Sequence, residues 1–246
     1  MTSAARPVAI VTGAAQGIGQ AVAVRLGADG MHVIVTDISV ADGRAVARTI
    51  RATNGEARFR KVDVSSARDW HLLARWVEAE YGRLDLVVSN AYTITYAAAH
   101  ELDPRDWDRQ LSVNLGALHL ATRELIGMLR ASRGSIVAVS SVHARRGFAR
   151  YPAYAASKGG LISLCQQLAV EYGPDVRVNA VLPGAIRTPA WDDIPASEQV
   201  VAAAETCLAR MGEPHEVAAV VSFLASADAA YVTGSSIVVD GGMLIK

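Results

Sequence analysis

The sequence predicts a doubly wound α/β fold, in which about seven parallel strands form one sheet with helices on both faces. Three observations predict it. Short runs of valine and isoleucine are typical of strands buried on both faces, most runs are followed by a helical pattern, and no linker rich in proline, glycine or serine divides the chain. We therefore expect residues 1–246 to form a single domain.

The predicted strands are short apolar runs with polar or glycine residues at their ends. In chain order they cover residues 8–11, 32–35, 59–62, 84–88, 135–139, 176–181 and 236–239. Because these runs are continuous rather than alternating, they favour a parallel sheet that is covered on both sides.

Helical patterns lie between the strands, at residues 17–26, 41–52, 67–80, 104–129, 152–172 and 216–224. Pro104 falls in the first turn of the longest helix, where a missing N–H costs little, and the pair Gly173-Pro174 ends the helix that precedes it. Residues 183–213 have weaker periodicity and are long for a connection. We expect a flexible substrate flap at about 187–212, or a small helical insertion.

Composition excludes several classes of function. The chain has 24 basic and 24 acidic residues, so no basic excess points to a nucleic-acid partner. It has no run of about 18 apolar residues, and its first residues lack the apolar core of a signal peptide, so we expect no membrane span and a cytoplasmic location. Cys165 and Cys207 form no CxxC pair. We expect two buried thiols rather than a disulfide, and no metal site.

A glycine-rich turn, T-G-A-A-Q-G-I-G at residues 12–19, joins the first strand to the first helix. Gly13 permits a tight turn, Gly17 leaves room for a pyrophosphate at the helix N-terminus, and Gly19 lets the helix approach the strand. The spacing differs from the commoner G-x-G-x-x-G, and a turn that merely requires glycine is the alternative. The strand before it and the helix after it favour a dinucleotide site of the Rossmann type.

Carboxylates follow the second and third predicted strands. Asp37 lies about 20 residues after the glycines, where it can accept hydrogen bonds from ribose hydroxyls and would repel a 2′-phosphate. This position favours NAD over NADP, and the alternative is that Asp37 caps the next helix. Asp63 is placed to meet the adenine amino group, with Val64 against the ring.

Tyr154 and Lys158 are four residues apart within one predicted helix, so their side chains share a face. A free tyrosine has a pKa of about 10, and a neighbouring ammonium lowers it by favouring the phenolate. The pair therefore has the elements of a general acid/base. Taken alone, Y-x-x-x-K is common by chance, and an exposed helical pair is the alternative.

Ser140 and Ser141 end the fifth predicted strand, at the sheet edge where open parallel sheets bind ligands. A hydroxyl there can hydrogen-bond the carbonyl oxygen of a substrate. Nucleophilic catalysis with His143, two residues further on, is a rival interpretation. No G-x-S-x-G elbow surrounds the serines, which argues against it.

Together these motifs resemble the short-chain dehydrogenase/reductase family over nearly the whole chain. In order, they are T-G-x-x-x-G-I-G at 12–19, Asp37, Asp63, S-N-A at 89–91, Asn114, S-S at 140–141, Y-x-x-x-K at 154–158, P-G-A-I-R-T at 183–188 and V-D-G-G at 239–242. Each motif is modest, but their order and spacing are specific. Ser141 stands thirteen residues before Tyr154, the usual interval in the family.

The resemblance implies a role for each catalytic residue. Tyr154 is the general acid/base toward the substrate oxygen. Lys158 lowers its pKa and binds the nicotinamide ribose, and Ser141 orients and polarises the carbonyl. Asn114 helps to hold a water that relays protons through Lys158.

The resemblance also implies a cofactor site. Pro183 and Gly184 shape the turn beside the nicotinamide, and Thr188 contacts its carboxamide. The implied cofactor-binding residues are Gly13, Gln16, Gly17, Ile18, Gly19, Asp37, Asp63, Val64, Asn90, Ala91, Tyr154, Lys158, Pro183, Gly184, Ile186 and Thr188.

One position departs from the family. The family commonly has N-N-A-G where this chain has S-N-A-Y, so Tyr92 replaces a glycine beside the cofactor. Our hypothesis is that Tyr92 turns into the substrate pocket and narrows it. The alternative is that its ring packs on the surface of the loop.

The residues around the predicted catalytic motif give the only indications of the substrate. His143 and Trp191 join Tyr92 as candidate pocket residues. Arg145, Arg146 and Arg150 are consistent with a polar or anionic substrate, or with a solvated loop or subunit contact. The mixture of histidine, tyrosine, tryptophan and arginine side chains suggests a sugar or polyol as the substrate. Steroids and hydroxyacyl thioesters are alternative substrates.

The predicted function is therefore hydride transfer between NAD(H) and a secondary alcohol or carbonyl compound. The alternative from another class is a regulatory protein that binds nicotinamide without turnover; the intact set of catalytic residues argues against it. A lyase or dehalogenase on the same fold is a third possibility, although such variants tend to lose the glycine turn. The family resemblance also implies a homotetramer.

Overall fold

The computed structural model describes residues 6–246 and contains one seven-stranded parallel sheet. Its strands, β1 to β7, are Val8–Thr12, His32–Asp37, Glu56–Lys61, Leu86–Ser89, Ser135–Val139, Arg177–Pro183 and Ser236–Val239. The helices, α1 to α8, are Gly17–Ala28, Val40–Ala52, Ala67–Tyr81, Pro104–Leu111, Ala117–Ser132, Pro152–Tyr172, Ala196–Ala204 and Pro214–Ala225. This architecture confirms the predicted fold class.

The strand order is β3-β2-β1-β4-β5-β6-β7, so the order reverses between β1 and β4. Val11 of β1 is in register with Val35 of β2 on one side and with Val88 of β4 on the other. The carboxyl ends of these strands therefore lie at one edge of the sheet. Ligands of open α/β sheets bind at such a reversal point.

The core has two halves, one on each face of the sheet. Successive residues of β1 pack alternately in one half and the other, because successive side chains of a strand point to opposite faces. Val8 and Ile10 pack in the half that contains side chains of α3, α5 and α6. Ala9 and Val11 pack in the half formed with α1, α2 and α8. All four side chains are buried, so the sheet is a fixed base for the edge loops.

Only β5 and β7 have the predicted bounds, and the starts of the third and fourth strands differ most from the prediction. The third strand begins at Glu56 rather than at residue 59, because its early residues alternate between exposed and buried positions at the edge of the sheet. An apolar run does not predict the bounds of a strand that is partly exposed in this way. The fourth strand covers Leu86–Ser89 rather than residues 84–88.

The long helix predicted at 104–129 is interrupted. A π-helical turn at Ser112–Gly116 separates α4 from α5, and Asn114 lies within that turn. Turns of this kind inside α-helices are frequent at functional sites.

The region predicted as a flap is partly helical. It contains a short 3₁₀ turn at Pro189–Trp191 and then α7, none of whose residues is buried. The expectation for the cysteines is half right: Cys165 is buried in α6, whereas Cys207 is exposed. Cys207 lies beyond the end of α7, in a turn beside Gly242, and so outside the core. Among residues 6–246, no helix is long and apolar enough to cross a membrane.

Candidate active site

Two cavities open at the carboxyl edge of the sheet. The first has a volume of about 160 Å³ and the second about 410 Å³. Gln16, Asn90 and Tyr92 line both, so the cavities adjoin. Together they form one cleft across the point where the strand order reverses.

The cleft collects most of the residues predicted from the sequence. Those in the wall of the first cavity are Gln16, Gly17, Ile18, Asn90, Tyr92, Ser141, Tyr154, Lys158, Pro183, Gly184, Ile186, Thr188 and Trp191. Those in the wall of the second are Gly13, Gln16, Asp37, Asp63, Val64, Asn90, Ala91 and Tyr92. Gly19, Asn114 and His143 are not among the lining residues, and each instead contacts a residue beside the cleft.

The glycine turn has the geometry that a pyrophosphate requires. Gly13 and Gly17 have φ angles of +61° and +57°, in the left-handed region. A Cβ on Gly19 would lie 2.2 Å from the carbonyl oxygen of Gly13, so any side chain would push helix α1 from the turn. The N-cap residue, Gln16, makes no side-chain hydrogen bond to the helix. The first N–H groups of α1 are thus left to bind an anion, which fits a dinucleotide phosphate.

Asn90 holds this turn from the adjoining strand end. Its Nδ2 donates to the carbonyl oxygens of Thr12 and Gly13, at 2.9 and 3.1 Å. Its backbone N–H donates to Oγ1 of Thr12 at 2.9 Å. Asn90 is buried, so the amide acts mainly as a brace for the phosphate-binding turn. The threonine in this brace is a contributor that the sequence analysis did not single out.

Asp37 supports two turns at the wall of the second cavity. Its Oδ2 accepts a hydrogen bond from the N–H of Ala15 at 3.0 Å, and its Oδ1 accepts one from the N–H of Ser39 at 2.9 Å. The N-cap of α2 is Ser39 rather than Asp37, so the alternative that Asp37 itself caps this helix is wrong, and its carboxylate instead holds the turn that leads into the helix. Since the carboxylate also lines the cavity, its role toward a ribose stays a prediction.

Asp63 and Val64 lie at the far side of the second cavity. Two hydrogen bonds from Ser65, at 3.0 and 2.7 Å, lower the pKa of the Asp63 carboxyl. Asp63 is therefore ionised and exposed at the cavity mouth, where it can accept hydrogen bonds. Val64 is buried beneath it. Arg109 reaches the same cavity from α4, and no sequence motif had indicated it.

Helix α6 places Tyr154 and Lys158 on one face, beneath the first cavity. Lys158 is 2% exposed, and its Nζ donates to the carbonyl oxygen of Val139 at 2.7 Å. The Nζ lies 5.5 Å from the centroid of the Tyr154 ring. Burial lowers the pKa of Lys158 to about 7. Ser140 joins α6 to the end of β5, because its hydroxyl donates to the carbonyl oxygen of Lys158 at 2.7 Å.

The pKa of Tyr154 is controlled by burial and by Ser141. Burial raises the pKa of the phenol above its usual value, and a hydrogen bond with the Ser141 side chain acts in the opposite direction. The family resemblance implies that Lys158 lowers this pKa. In the structure the Ser141 side chain lowers this pKa, and Lys158 is itself buried and donates to the Val139 carbonyl oxygen.

Asn114 anchors the segment that follows β4. Its Oδ1 accepts from the N–H of Thr93 at 2.7 Å, and its Nδ2 donates to the carbonyl oxygen of Thr93 at 2.9 Å. The same Nδ2 donates to Oγ of Ser157 at 3.2 Å. The side-chain amide therefore connects the π-helical turn to this segment and to α6. Its expected part in a proton relay stays a prediction.

The three candidate substrate residues lie in different surroundings. Tyr92 and Trp191 are partly exposed in the wall of the first cavity. The ring of His143 packs against Phe148 and Tyr151 at centroid distances of 4.3 and 4.4 Å. Burial lowers the pKa of His143 to about 4, so the ring is neutral at neutral pH.

The turn after β6 closes one side of the first cavity. Gly184 passes so close to the last strand that a Cβ would lie 2.8 Å from the Cα of Asp240. Thr188 lies opposite Gly17, where an added Cβ would be 3.4 Å from the threonine side chain. In residues 6–246, no group of His, Cys, Asp or Glu side chains is arranged to hold a metal ion.

Comparisons with known proteins agree with this geometry. A family model described as enoyl-(acyl carrier protein) reductase matches residues 13–244. The chain is 36% identical over 240 residues to a 3-oxoacyl-(acyl-carrier-protein) reductase of Thermotoga maritima, covering 97% of this chain and 98% of that protein. It is also 36% identical over 239 residues to a cyclopentanol dehydrogenase of Comamonas sp. strain NCIMB 9872, covering 96% of each.

A solved structure shows the same fold throughout. It is described as a short-chain dehydrogenase/reductase, a glucose/ribitol dehydrogenase, from Brucella melitensis, with a TM-score of 0.93 and 31% identity. The match covers 98% of this chain and 97% of that one. The chain belongs to the short-chain dehydrogenase/reductase family, whose members are oxidoreductases that use nicotinamide cofactors.

Proposed function

We propose that this protein is an NAD(H)-dependent oxidoreductase that interconverts a secondary alcohol and its carbonyl compound. One observation carries the proposal: Ser141, Tyr154 and Lys158 meet in a cavity that adjoins the phosphate-binding turn. A bound nicotinamide cofactor would supply or accept the hydride, and the protein supplies the proton and the orientation.

In the direction of reduction, Tyr154 donates the proton. Because burial raises the pKa of its phenol, the side chain is protonated at neutral pH and available as an acid. The substrate carbonyl oxygen would accept hydrogen bonds from Tyr154 and Ser141 as hydride reaches the carbon.

In the direction of oxidation, the steps reverse. The alcohol O–H proton passes to the Tyr154 phenolate, and the C–H bond breaks as hydride leaves for the cofactor. Forming the phenolate requires a lower pKa. The Ser141 hydroxyl supports it by hydrogen bonding, and a charged Lys158 supports it electrostatically.

NAD is the proposed cofactor rather than NADP. Asp37 presents a carboxylate to the second cavity, in the wall that would face the adenosine ribose. A 2′-phosphate there would meet a negative charge, and Asp63 at the same cavity adds a second one.

The proposed substrate is a compact, ring-shaped secondary alcohol, with cyclic sugars and polyols as its hydroxylated members. Among the lining residues of the first cavity, Lys158 is the single charged side chain, and the rings of Tyr92 and Trp191 offer flat apolar surfaces. Arg146 pairs with Glu205 at 3.1 Å, and Arg150 donates to the Tyr96 carbonyl oxygen at 3.3 Å. Both arginines thus have partners inside the chain, which argues against an anionic substrate.

The names of the similar proteins support this class. One is a cyclopentanol dehydrogenase, and the solved structure is described as a glucose/ribitol dehydrogenase. The reductase of Thermotoga maritima acts, by its name, on a 3-oxoacyl thioester. Hydroxyacyl thioesters therefore belong in any substrate test.

A direct test is absorbance at the reduced-nicotinamide band. Purified protein is mixed with NAD or NADP and with cyclic alcohols, sugars, polyols, linear secondary alcohols and hydroxyacyl thioesters. We expect a signal with NAD and a cyclic secondary alcohol. If NAD binds but no substrate class gives a signal, the result favours a nicotinamide-binding protein without turnover.

A further inference from the structure

Tyr92 lies where the two cavities of the cleft meet. Its side chain is 47% exposed and lines both cavities. Its ring makes an edge-to-face contact with the ring of Tyr154, at a centroid distance of 6.1 Å and an interplanar angle of 67°. The Nζ of Lys158 is 5.8 Å from the centroid of the Tyr92 ring. Tyr92 therefore contacts both members of the catalytic pair.

The backbone around Tyr92 is fixed on both sides. On one side, the N–H of Ala91 donates to Oγ1 of Thr12 at 3.1 Å. On the other, Asn114 binds both the N–H and the carbonyl oxygen of Thr93, at 2.7 and 2.9 Å. Strand β1 and the π-helical turn thus set the position from which the ring of Tyr92 projects.

The Lys158 ammonium has two aromatic rings and one carbonyl oxygen as its close neighbours. Nζ lies 5.5 Å from the Tyr154 ring, 5.8 Å from the Tyr92 ring and 2.7 Å from the Val139 carbonyl oxygen. The nearby titratable groups are neutral at neutral pH, because burial raises the pKa of both phenols and lowers that of His143. Ring faces, which attract cations within about 6 Å, are therefore available to stabilise the charge.

We propose that Tyr92 is a positioning residue of the active site, whose ring holds the Lys158 ammonium and the Tyr154 ring in their relative places. The consequence for turnover rests on the proposed function, whereas the effect on Lys158 does not. A wall residue that only shaped the substrate pocket would alter substrate affinity and leave the lysine unchanged.

Lysine titration by NMR tests the contact without any substrate. The lysines of the chain are Lys61, Lys158 and Lys246, so protein labelled with ¹³C and ¹⁵N at lysine side chains gives a simple spectrum. Tyr92→Phe keeps the ring and loses the hydroxyl, while Tyr92→Leu keeps apolar bulk and loses the ring. Tyr96→Leu is the matched control, because Tyr96 is 46% exposed and packs on Tyr151 instead. Circular dichroism and thermal melts verify that each variant is folded.

We expect the Lys158 titration midpoint to match the wild type in Tyr92→Phe and Tyr96→Leu. In Tyr92→Leu it should fall by roughly 0.5 pH unit or more, since the cation loses one of its rings. With an active substrate, Tyr92→Leu should also lower kcat about tenfold.

An unchanged Lys158 midpoint in Tyr92→Leu overturns the proposal, as does a change confined to the KM of the substrate. If the wild type turns over no substrate at all, the proposed function fails, and the NMR midpoint still decides the role of Tyr92.

Discussion

At the scale of the residue, burial sets the charge of the catalytic groups. It lowers the pKa of Lys158 to about 7, lowers that of His143 to about 4 and raises that of Tyr154. All three shifts favour the neutral form, as expected where charged groups leave water. Desolvation of these groups has a cost in stability.

His143 makes this cost measurable. Its pKa falls from an ordinary value of 6.5 to about 4, and its Nδ1 is buried without a hydrogen-bond partner. Between these two values the unfolded chain binds more protons than the folded one, so this contribution to stability is lost as pH falls. Urea unfolding at pH 7 and at pH 5 should give a smaller difference in His143→Phe than in the wild type. We expect the two differences to differ by about 1 kcal/mol, after allowance for solvent screening; equal differences would contradict the burial of this ring.

Asp37 is the residue on which the proposed preference for NAD depends. Asp37→Asn removes the charge and keeps one acceptor oxygen, so it retains one of the two hydrogen bonds that Oδ2 and Oδ1 accept from the N–H groups of Ala15 and Ser39. The ratio of kcat/KM for NAD to that for NADP should fall about tenfold or more, which corresponds to roughly 1.4 kcal/mol. Asp37→Ala also removes the support of both turns, so it should weaken binding of either cofactor. A ratio that does not move in Asp37→Asn would assign the discrimination to another group.

The sequence indicated the proposed catalytic residues because their spacing reflects geometry that is local in the chain. Tyr154 and Lys158 share one helix face, and Ser141 ends the strand beside that helix. The sequence did not reveal that the Ser141 side chain opposes the rise in the pKa of Tyr154, or that Lys158 is buried and donates to the Val139 carbonyl oxygen. Both results depend on the depth of burial, which no motif records.

At the scale of the element, helix α1 can approach the glycine-rich turn closely only because Gly19 has no Cβ atom. A Cβ at Gly19 would lie 2.2 Å from the Gly13 carbonyl oxygen and 2.4 Å from Nδ2 of Asn90. Gly19→Ala should therefore lower the free energy of unfolding by about 1–3 kcal/mol and weaken NAD binding. Gly127→Ala is the control, since Gly127 is exposed in α5 with nothing within 4 Å of an added Cβ. It should raise stability by roughly 0.5–1 kcal/mol; equal effects of the two variants, measured by urea unfolding, would refute the close-packing argument.

The interruption between α4 and α5 was not predictable from periodicity. Residues 104–129 carry one continuous helical pattern, yet the structure has a π-helical turn at Ser112–Gly116. The turn places Asn114 where it binds Thr93 and Ser157, two segments that are distant in sequence. Such long-range hydrogen bonds override local preference, and a single sequence does not display them.

At the scale of the whole molecule, the fold was the most predictable feature. Continuous apolar runs separated by helical patterns allow few arrangements other than a parallel sheet covered on both faces. The edge strand β3 was the least predictable strand, because its polar residues break the apolar run. The prediction of a flexible flap is a statement about motion, and it stays a prediction.

Assembly is the prediction that belongs to this scale. The family resemblance implies a homotetramer, and the edge strand β7 leaves every residue partly exposed. Nearby, Ile245 is 87% exposed. Light scattering after gel filtration should give about four times the chain mass of 26.0 kDa. A mass of one chain at micromolar concentration would contradict the tetramer.

The most direct measurement compares the wild type with Tyr154→Phe, recording NAD binding by calorimetry and turnover by nicotinamide absorbance on the same preparations. Phenylalanine keeps the ring that packs against His143 and Tyr92 but has no proton to exchange. We expect NAD binding to be retained and turnover to fall by about 10²–10⁴, the usual contribution of a general acid/base. Turnover that is unchanged in Tyr154→Phe would contradict the assignment of Tyr154 as the acid/base, and with it the proposed mechanism.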